Sequence, residues 1–205
     1  MIEQEEVFFS GEESLQLITQ MISKAKNDFV ETGISALMWG SIIPICALVQ
    51  FASFFYNIPH AEYIWYLTFF AVIPQLVISY REKKRKKFTS HHEDAMGGIW
   101  IAFAITMFLM GFYLDSLKNI TYSEMHADTL YLIIYGIPTF ASGFARRFTP
   151  MLIGGIACWI LAIISVYISF PYTMLLVALA ALLAWFIPGI ILQRRYQKAK
   201  KGQHV

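Results

Sequence analysis

Six long apolar runs, none with a charged residue near its middle, constrain this chain more than any other feature of its sequence. They cover residues 34–56, 61–80, 96–114, 129–145, 150–170 and 172–193, and the only charge inside them is Glu62, at an edge. A helix of roughly 17–25 apolar residues crosses a bilayer, and one charge at its centre costs about 2.5–3.5 kcal/mol on insertion scales. The runs predict an all-α, polytopic membrane protein with six transmembrane helices.

Composition supports a membrane protein. The chain is 57% hydrophobic and 15% charged, whereas soluble domains carry about 25% charged residues. The net charge of +2 provides no strong field that would attract nucleic acid. Cys46 and Cys158 lie in apolar runs without a partner at metal-ligand spacing, so both are interpreted as packing residues. No cleavable signal peptide is expected, because the N-terminus is acidic and the first apolar run begins near Ile34.

The basic residues are divided unequally between the two sides of the predicted spans. Fifteen of the 16 Lys and Arg residues fall on the side of the N-terminus, and only Lys118 falls on the other side. Short loops rich in Lys and Arg stay in the cytoplasm, so both termini are predicted to be cytoplasmic. The residues assigned to topology or to lipid headgroups are Arg81, Lys83, Lys84, Arg85, Lys86, Lys87, Arg146, Arg147, Arg194 and Arg195.

The most highly charged stretch, REKKRKKFTSHHED at residues 81–94, lies in one of these inner loops. It lacks the interleaved aromatic residues or the recognisable module of a nucleic-acid site, so no nucleic-acid partner is expected. Its predicted role is to fix topology and contact anionic membrane lipids, and docking of a protein partner remains an alternative.

Histidines beside acidic residues are the best metal candidates, and they are weak. In the cluster His91, His92 and Asp94, adjacent residues rarely face one ion, and helical ligands prefer a spacing of three or four. The alternative is a solvated loop in which Asp94 caps the third span. Metal sites on the outer loops are weaker alternatives, and no cofactor is expected. The outer pairs are His60 with Glu62 and His126 with Asp128.

Aromatic residues near the predicted span ends agree with this orientation. Tyr and Trp concentrate at membrane interfaces because their rings are apolar with one polar edge. Toward the outer ends lie Tyr56, Tyr63, Trp65, Tyr66, Tyr113, Tyr131, Tyr167 and Tyr172, and toward the inner ends lie Trp39, Tyr80, Trp100 and Trp185. Trp159 lies deeper and is predicted to pack between helices.

Residues 10–31 have the pattern of an amphipathic helix ahead of the first span. Leu15, Ile18, Met21, Ile22, Ala25 and Phe29 share one face. The predicted organisation is therefore an acidic leader and amphipathic helix over residues 1–33, a membrane domain over 34–193, and a basic cytoplasmic tail over 194–205. The amphipathic helix is the predicted contact for a protein partner.

An internal repeat links the spans. Each even-numbered span carries an Ile-Pro pair before its basic end, and each odd-numbered span carries glycine near its inner end. The spacings from Gly40 to Gly98 and from Gly98 to Gly155 are 58 and 57 residues. This regularity favours one helical hairpin used three times.

The prolines of this repeat are the basis of a candidate cavity. Each frees a backbone carbonyl one turn earlier, which in lipid must be satisfied by neighbours or water. The kinks therefore either curve the helices or line a cavity open to the cytoplasm. For the two glutamines the alternative is an interhelical hydrogen bond each. The candidate cavity or ligand residues are Gln50, Gln75, Pro74, Thr139, Pro138, Pro188 and Gly189.

Two classes of function remain. The spans offer Ser and Thr without a base, and they contain no acid for ion-coupled transport, so no catalytic residue is predicted. The first class is a non-enzymatic interaction, sensory or accessory membrane protein whose N-terminal helix and basic rim bind a partner. The second is a small permease, or a protein that binds lipids or small molecules, using the cavity near the prolines. Both classes of function are compatible with a homo-oligomer.

The segment ESLQLITQMISKAKNDF followed by ALMWG, within residues 13–40, adds a resemblance. It resembles the start of a group of small, uncharacterised multi-pass membrane proteins from bacteria, whose six-span layout agrees with that of this chain. The resemblance implies a bacterial inner-membrane location. It implies no activity, ligand or catalytic residue.

Overall fold

The computed structural model describes residues 32–85, 91–116 and 127–202, together with Leu15. The predicted amphipathic helix over residues 10–31 therefore lies outside the described residues except at Leu15, as do Lys86 and Lys87. Side chains are described for residues 32–84, 96–114 and 127–201, and for Leu15. Within these ranges the protein is helical and contains no strand, which confirms the all-α prediction for this part of the chain.

Within residues 32–85, 91–116 and 127–202, six helical segments follow one another. Residues 61–85 begin as a 3₁₀ turn, and the last segment contains a π-helical turn. The elements are α1 (Ile34–Tyr56), the 3₁₀ turn (Ala61–Trp65) with α2 (Tyr66–Arg85), α3 (His91–Ser116), α4 (Ala127–Ala145), α5 (Thr149–Ser165), and α6 (Thr173–Ala181) joined by the π turn (Leu182–Phe186) to α7 (Ile187–Gly202).

Four of these helical stretches are long and apolar enough to cross a membrane: Ile34–Tyr56, Ala61–Lys84, Met96–Leu114 and Thr173–Lys201. The fifth predicted span is corrected at its end, because α5 stops at Ser165 rather than near residue 170. Beyond Ser165 the chain turns, with Ile168 N–H bonded to the Ser165 carbonyl. Ser165 Oγ also donates to the carbonyl of Ala162, a local bond that competes with helix continuation.

The start of α3 also differs from its prediction. The helix begins at His91, so Asp94 lies inside its first turn and not at the cap before it. An acidic residue is favourable there because the N-terminal end of a helix carries partial positive charge.

Contacts at the helix ends show that successive segments run in opposite directions. One end of the bundle, here called the basic end, holds the start of α1, the last part of α2, the α4–α5 turn and the middle of α7. Its contacts are the hydrogen bond from Thr32 Oγ1 to Glu82, the packing of Gly33 against the backbone of Gln193, and the Arg195 guanidinium 5.2 Å from the ring centre of Phe148.

The opposite end is joined by aromatic and polar contacts. Trp65 Nε1 donates to Gln50 Oε1, which links the start of the second segment to the last part of α1. The ring of Phe54 lies 4.7 Å from that of Phe170. The bonds from Thr173 to Asp128, at 2.5 Å, and between Thr129 and Ser165, at 2.6 Å, join the starts of α4 and α6 and the end of α5.

Small residues let the central helices approach closely. Gly154 of α5 packs on the backbone of Ala184, where an added Cβ would lie 2.6 Å from Ala184 Cα. On the other side of the same π turn, Gly40 of α1 packs on the backbone of Phe186. Small residues are the usual means by which membrane helices bring their backbones together. The π turn is therefore held between α1 and α5.

The proposed hairpin repeat does not correspond to repeated contacts. Gly40 and Gly154 both pack on the π turn, but an added Cβ at Gly97 would meet no described atom within 4 Å. Pro138 and Pro188 are fully buried, whereas Pro74 is exposed. The three copies therefore occupy different environments in the bundle.

Helix α3 lies at the periphery and is apolar on its exposed faces. None of the membrane-length window Met96–Leu114 is buried against the rest of the described protein. Its exposed side chains include Ile101, Ile105, Phe108, Leu109 and Phe112. An apolar surface of this extent is typical of contact with lipid or another protein.

Candidate functional site

The candidate positions near two of the prolines are occupied by packed protein. Pro138, Thr139 and Pro188 are fully buried, and the Thr139 hydroxyl donates to the Tyr135 carbonyl at 2.9 Å. Gly189 is buried against α1, where an added Cβ would lie 2.9 Å from Leu37 N. These four residues are close-packed between helices.

The two glutamines take part in hydrogen bonds between helices at different ends of the bundle. Gln75 Oε1 accepts from Trp39 Nε1 at 3.0 Å, and its Nε2 donates to Ser79 Oγ at 3.0 Å. Gln50 accepts from Trp65 at the opposite end. Together with the exposed Pro74, they lie on the α1–α2 side, and the structure does not bring them to Thr139 or Gly189.

A cluster of aromatic rings fills the interior near the π turn. The ring of Trp185 meets those of Trp100, at 4.8 Å, and Tyr135, at 5.6 Å, edge to face. Trp100 Nε1 donates to Ser142 Oγ at 3.1 Å, whereas Trp185 Nε1 is buried without a partner among the described residues. Trp185, which was predicted toward an inner end, is only 7% exposed and faces the interior of the bundle. The wider π turn changes the phase of the helix, which the apolar pattern does not reveal.

Trp159 packs between helices, as predicted from its depth in the fifth run. Its Nε1 donates to the Ile133 carbonyl of α4 at 3.2 Å, and its ring lies 5.2 Å from that of Phe140.

A buried polar cluster at the opposite end was missed in the sequence. Asp128 and Thr173 are both only 4% exposed, and the threonine hydroxyl donates to Asp128 Oδ2. Beside them Thr129 is bonded to Ser165. The available signal was the acid directly ahead of the fourth apolar run, where a carboxylate favours a helix N-terminus.

An apolar groove opens near the basic end, where the start of α3 meets the end of α4 and the start of α5. It encloses about 610 Å³. Its lining combines apolar side chains with one guanidinium. The residues of this inner groove are Met96, Ala141, Phe144, Ala145, Arg147 and Leu152.

The turn that carries Arg147 has a defined backbone geometry. Phe148 N–H bonds to the Gly143 carbonyl at 2.9 Å, and Arg147 N–H bonds to the Phe144 carbonyl at 3.2 Å. This pair of bonds is the Schellman motif that ends many helices. The residue at its left-handed position, usually glycine, is here Arg147, with φ of 50°. The motif fixes the backbone of Arg147, whose exposed side chain is one of those that line the inner groove.

The described residues contain no group of three metal-ligating side chains. His60 Nδ1 lies 3.6 Å from Glu62 Oε1 as an exposed pair. The side chains of His91, His92 and Asp94 lie outside the described set. Cys46 and Cys158 are buried and not joined in a disulfide, consistent with packing roles.

Comparison with known proteins gave no match to a protein-family model, to a curated protein or to a solved structure.

Proposed function

We propose that the chain is a six-span integral protein of the bacterial inner membrane, with both termini cytoplasmic, acting without catalysis as an interaction or accessory protein. The observation that carries this proposal is the alternating direction of the helical segments. It gathers the basic residues of α2, α7 and the α4–α5 turn at one end and leaves apolar side chains exposed between the ends. Such a distribution fits a membrane with its cytoplasmic face at the basic end.

One span in this proposal is short. Helix α5 has 17 residues, which at 1.5 Å per residue is roughly 25 Å, less than the bilayer core of about 30 Å. A short span is accommodated by local thinning of the bilayer and by flanking interfacial residues. Tyr167 and Tyr172, both exposed beyond the end of α5, supply such anchors. Helix α4, with 19 residues, is paired closely with α5.

The pairing of buried hydroxyl groups supports a non-catalytic role. Thr173 is bonded to Asp128, Thr129 to Ser165, and Ser142 to Trp100. A nucleophilic hydroxyl requires a base within reach and open access for a substrate. Here each hydroxyl joins helices inside the bundle, so these groups are accounted for by packing.

The partner of an accessory protein would bind on the cytoplasmic side in this proposal. The described chain enters α1 at the basic end, because Thr32 is bonded to Glu82 of α2. The exposed apolar faces of α2 and α3 would contact lipid.

Reporter fusions test the proposed topology. Green fluorescent protein and alkaline phosphatase are fused after residues 58, 88, 120, 147, 169 and 202 of the otherwise intact preceding chain. We expect fluorescence after 88, 147 and 202, and phosphatase activity after 58, 120 and 169. Phosphatase activity after both 147 and 169, with fluorescence kept after 88 and 202, would contradict six spans, because α4 and α5 would then not cross the membrane. A full reversal at all six sites would overturn the orientation alone.

A further inference from the structure

The inner groove combines an apolar wall with one cationic side chain. Ala141, Phe144 and Leu152 line it from two helices, and Arg147 lines it from the turn between them. Its volume of about 610 Å³ falls within the range of roughly 300–1,000 Å³ found for small-molecule sites. An amphiphile with one anionic group and an apolar chain is complementary to this lining.

Arg147 adopts a left-handed backbone conformation, which is unfavourable for a residue with a Cβ. Left-handed backbone costs a residue with a Cβ about 1–2 kcal/mol, so glycine usually occupies this position of the motif. Arginine here places a planar guanidinium, which binds phosphate through two parallel hydrogen bonds, on a rigid turn.

A second cation lies at the same turn. The guanidinium of Arg195, on α7, lies over the ring of Phe148, the residue that follows Arg147. Two guanidinium groups held near one turn raise the local affinity for an anion, and basic pockets between membrane helices on the cytoplasmic side recognise lipid headgroups.

We propose that the inner groove is a binding site for an anionic phospholipid. The lipid phosphate contacts Arg147, and one acyl chain lies against Ala141, Phe144 and Leu152. This site rests on the membrane placement proposed above and adds a specific ligand class to it.

Native mass spectrometry of the intact chain in a non-ionic detergent tests the site. Equal amounts of phosphatidylglycerol and phosphatidylcholine are added, and the bound lipid is counted for each variant. Arg147→Gly removes the guanidinium but suits the positive φ, so the fold is retained. Because charge-assisted hydrogen bonds to phosphate are lost, phosphatidylglycerol affinity should fall about tenfold. Arg194→Gln is the matched control, since Arg194 is exposed and outside the groove; it should change affinity less than about twofold.

A second variant tests the apolar half of the site. Ala141→Phe fills the groove without changing the charge and should lower the binding of both lipids. Folding of each variant is checked by the thermal exposure of Cys46 and Cys158, which are fully buried in the native chain. If Ala141→Phe does not fold, competition by glycerol 1-phosphate takes its place. It should displace phosphatidylglycerol poorly, because it lacks the acyl chain.

The opposite results would overturn the proposal. Equal phosphatidylglycerol binding by Arg147→Gly and Arg194→Gln would show a general charge effect. If glycerol 1-phosphate displaced phosphatidylglycerol as effectively as the lipid itself, the site would bind phosphate without an acyl groove. These measurements use micelles and do not depend on orientation. A reversed topology in the reporter fusions would therefore overturn the proposed orientation without removing the lipid site.

Discussion

Thr173 Oγ1 donates a hydrogen bond of 2.5 Å to Asp128 Oδ2, joining the first turns of α6 and α4 across 45 residues of chain. Both residues are 4% exposed, so water has little access to either oxygen. A buried carboxylate without a donor is unfavourable, because its lost hydration is not replaced. The bond is therefore expected to stabilise the end of the bundle away from the basic residues.

Replacing Thr173 with Val should destabilise the protein by about 1–3 kcal/mol, since the shape is kept and the donor to Asp128 is removed. For a chain of this size each kcal/mol corresponds to about 2–4 °C in Tm. Thermal unfolding in detergent, followed by a fluorogenic thiol dye that reacts with Cys46 and Cys158 as they become exposed, measures the change.

Thr106→Val is the matched control for that variant. Thr106 is exposed on α3 and donates only to the Ala102 carbonyl of its own helix, at 2.8 Å. Its Tm should change by less than about 2 °C. The two substitutions Thr173→Val and Asp128→Asn should also be non-additive, because the residues are in contact. Additive effects would show that the bond does not link the two helices energetically.

Glycine positions in the hairpins should respond in opposite directions to alanine. A Cβ at Gly154 would lie 2.6 Å from Ala184 Cα and 2.9 Å from the Leu183 carbonyl oxygen, so Gly154→Ala forces α5 away from the π turn. Overpacking of this kind costs about 1–3 kcal/mol. At Gly97 an added Cβ meets no described atom within 4 Å, and alanine should add up to about 1 kcal/mol through helix propensity. Equal Tm shifts for the two variants would contradict the packing of α5 against the π turn.

The positions of the helices could be predicted from the sequence because each is determined by the residues of its own segment. The run at residues 34–56 coincides with α1, and the basic residues after Tyr80 and after Ala145 mark one end of the bundle. The apolar content of a segment and the basic residues at its ends are properties of that segment, so they do not depend on how the helices pack. The helical class followed from them.

The contacts between helices could not be predicted from the sequence, since they depend on which helix faces pack together. Pro74, Pro138 and Pro188 share a sequence context, yet only the last two are buried. Trp185 was expected near a membrane interface, yet it is buried within a π turn that the sequence periodicity does not indicate. The inner groove forms where the start of α3 lies beside the α4–α5 turn. The sequence does not show that these distant segments meet. Arg147 was identified as a basic residue, but its left-handed backbone was not.

Cysteine accessibility distinguishes a packed interior from a wet cavity at the level of the prolines. In a chain with Cys46→Ala and Cys158→Ala, the nearly isosteric Thr139→Cys should not react with a small membrane-impermeant thiol reagent from either side. The reason is that the Thr139 side chain is fully buried and bonded to Tyr135. Thr149→Cys, at an exposed position beginning α5, is the positive control and should react from the cytoplasmic side.

Labelling at residue 139 from the cytoplasm, in protein that unfolds cooperatively, would reverse this interpretation. It would establish water at the proline level and favour a permease that uses Thr139 over an accessory protein.

The two arginines of the α4–α5 turn should differ in their response to glycine. At Arg147, where φ is 50°, glycine relieves the left-handed strain and should raise stability by about 0.5–1 kcal/mol, or about 1–4 °C in Tm. At Arg146, whose φ is not positive and which has an interaction of its own, glycine relieves no strain and adds freedom to the unfolded chain, so it should lower stability by at least about 0.5 kcal/mol. The thiol-dye assay measures both variants in the same detergent.

A lower Tm for Arg147→Gly than for Arg146→Gly would mean that contacts of the Arg147 side chain outweigh the backbone strain. Reduced lipid binding by Arg147→Gly would then have to be corrected for lost folded protein before it counted in favour of the groove.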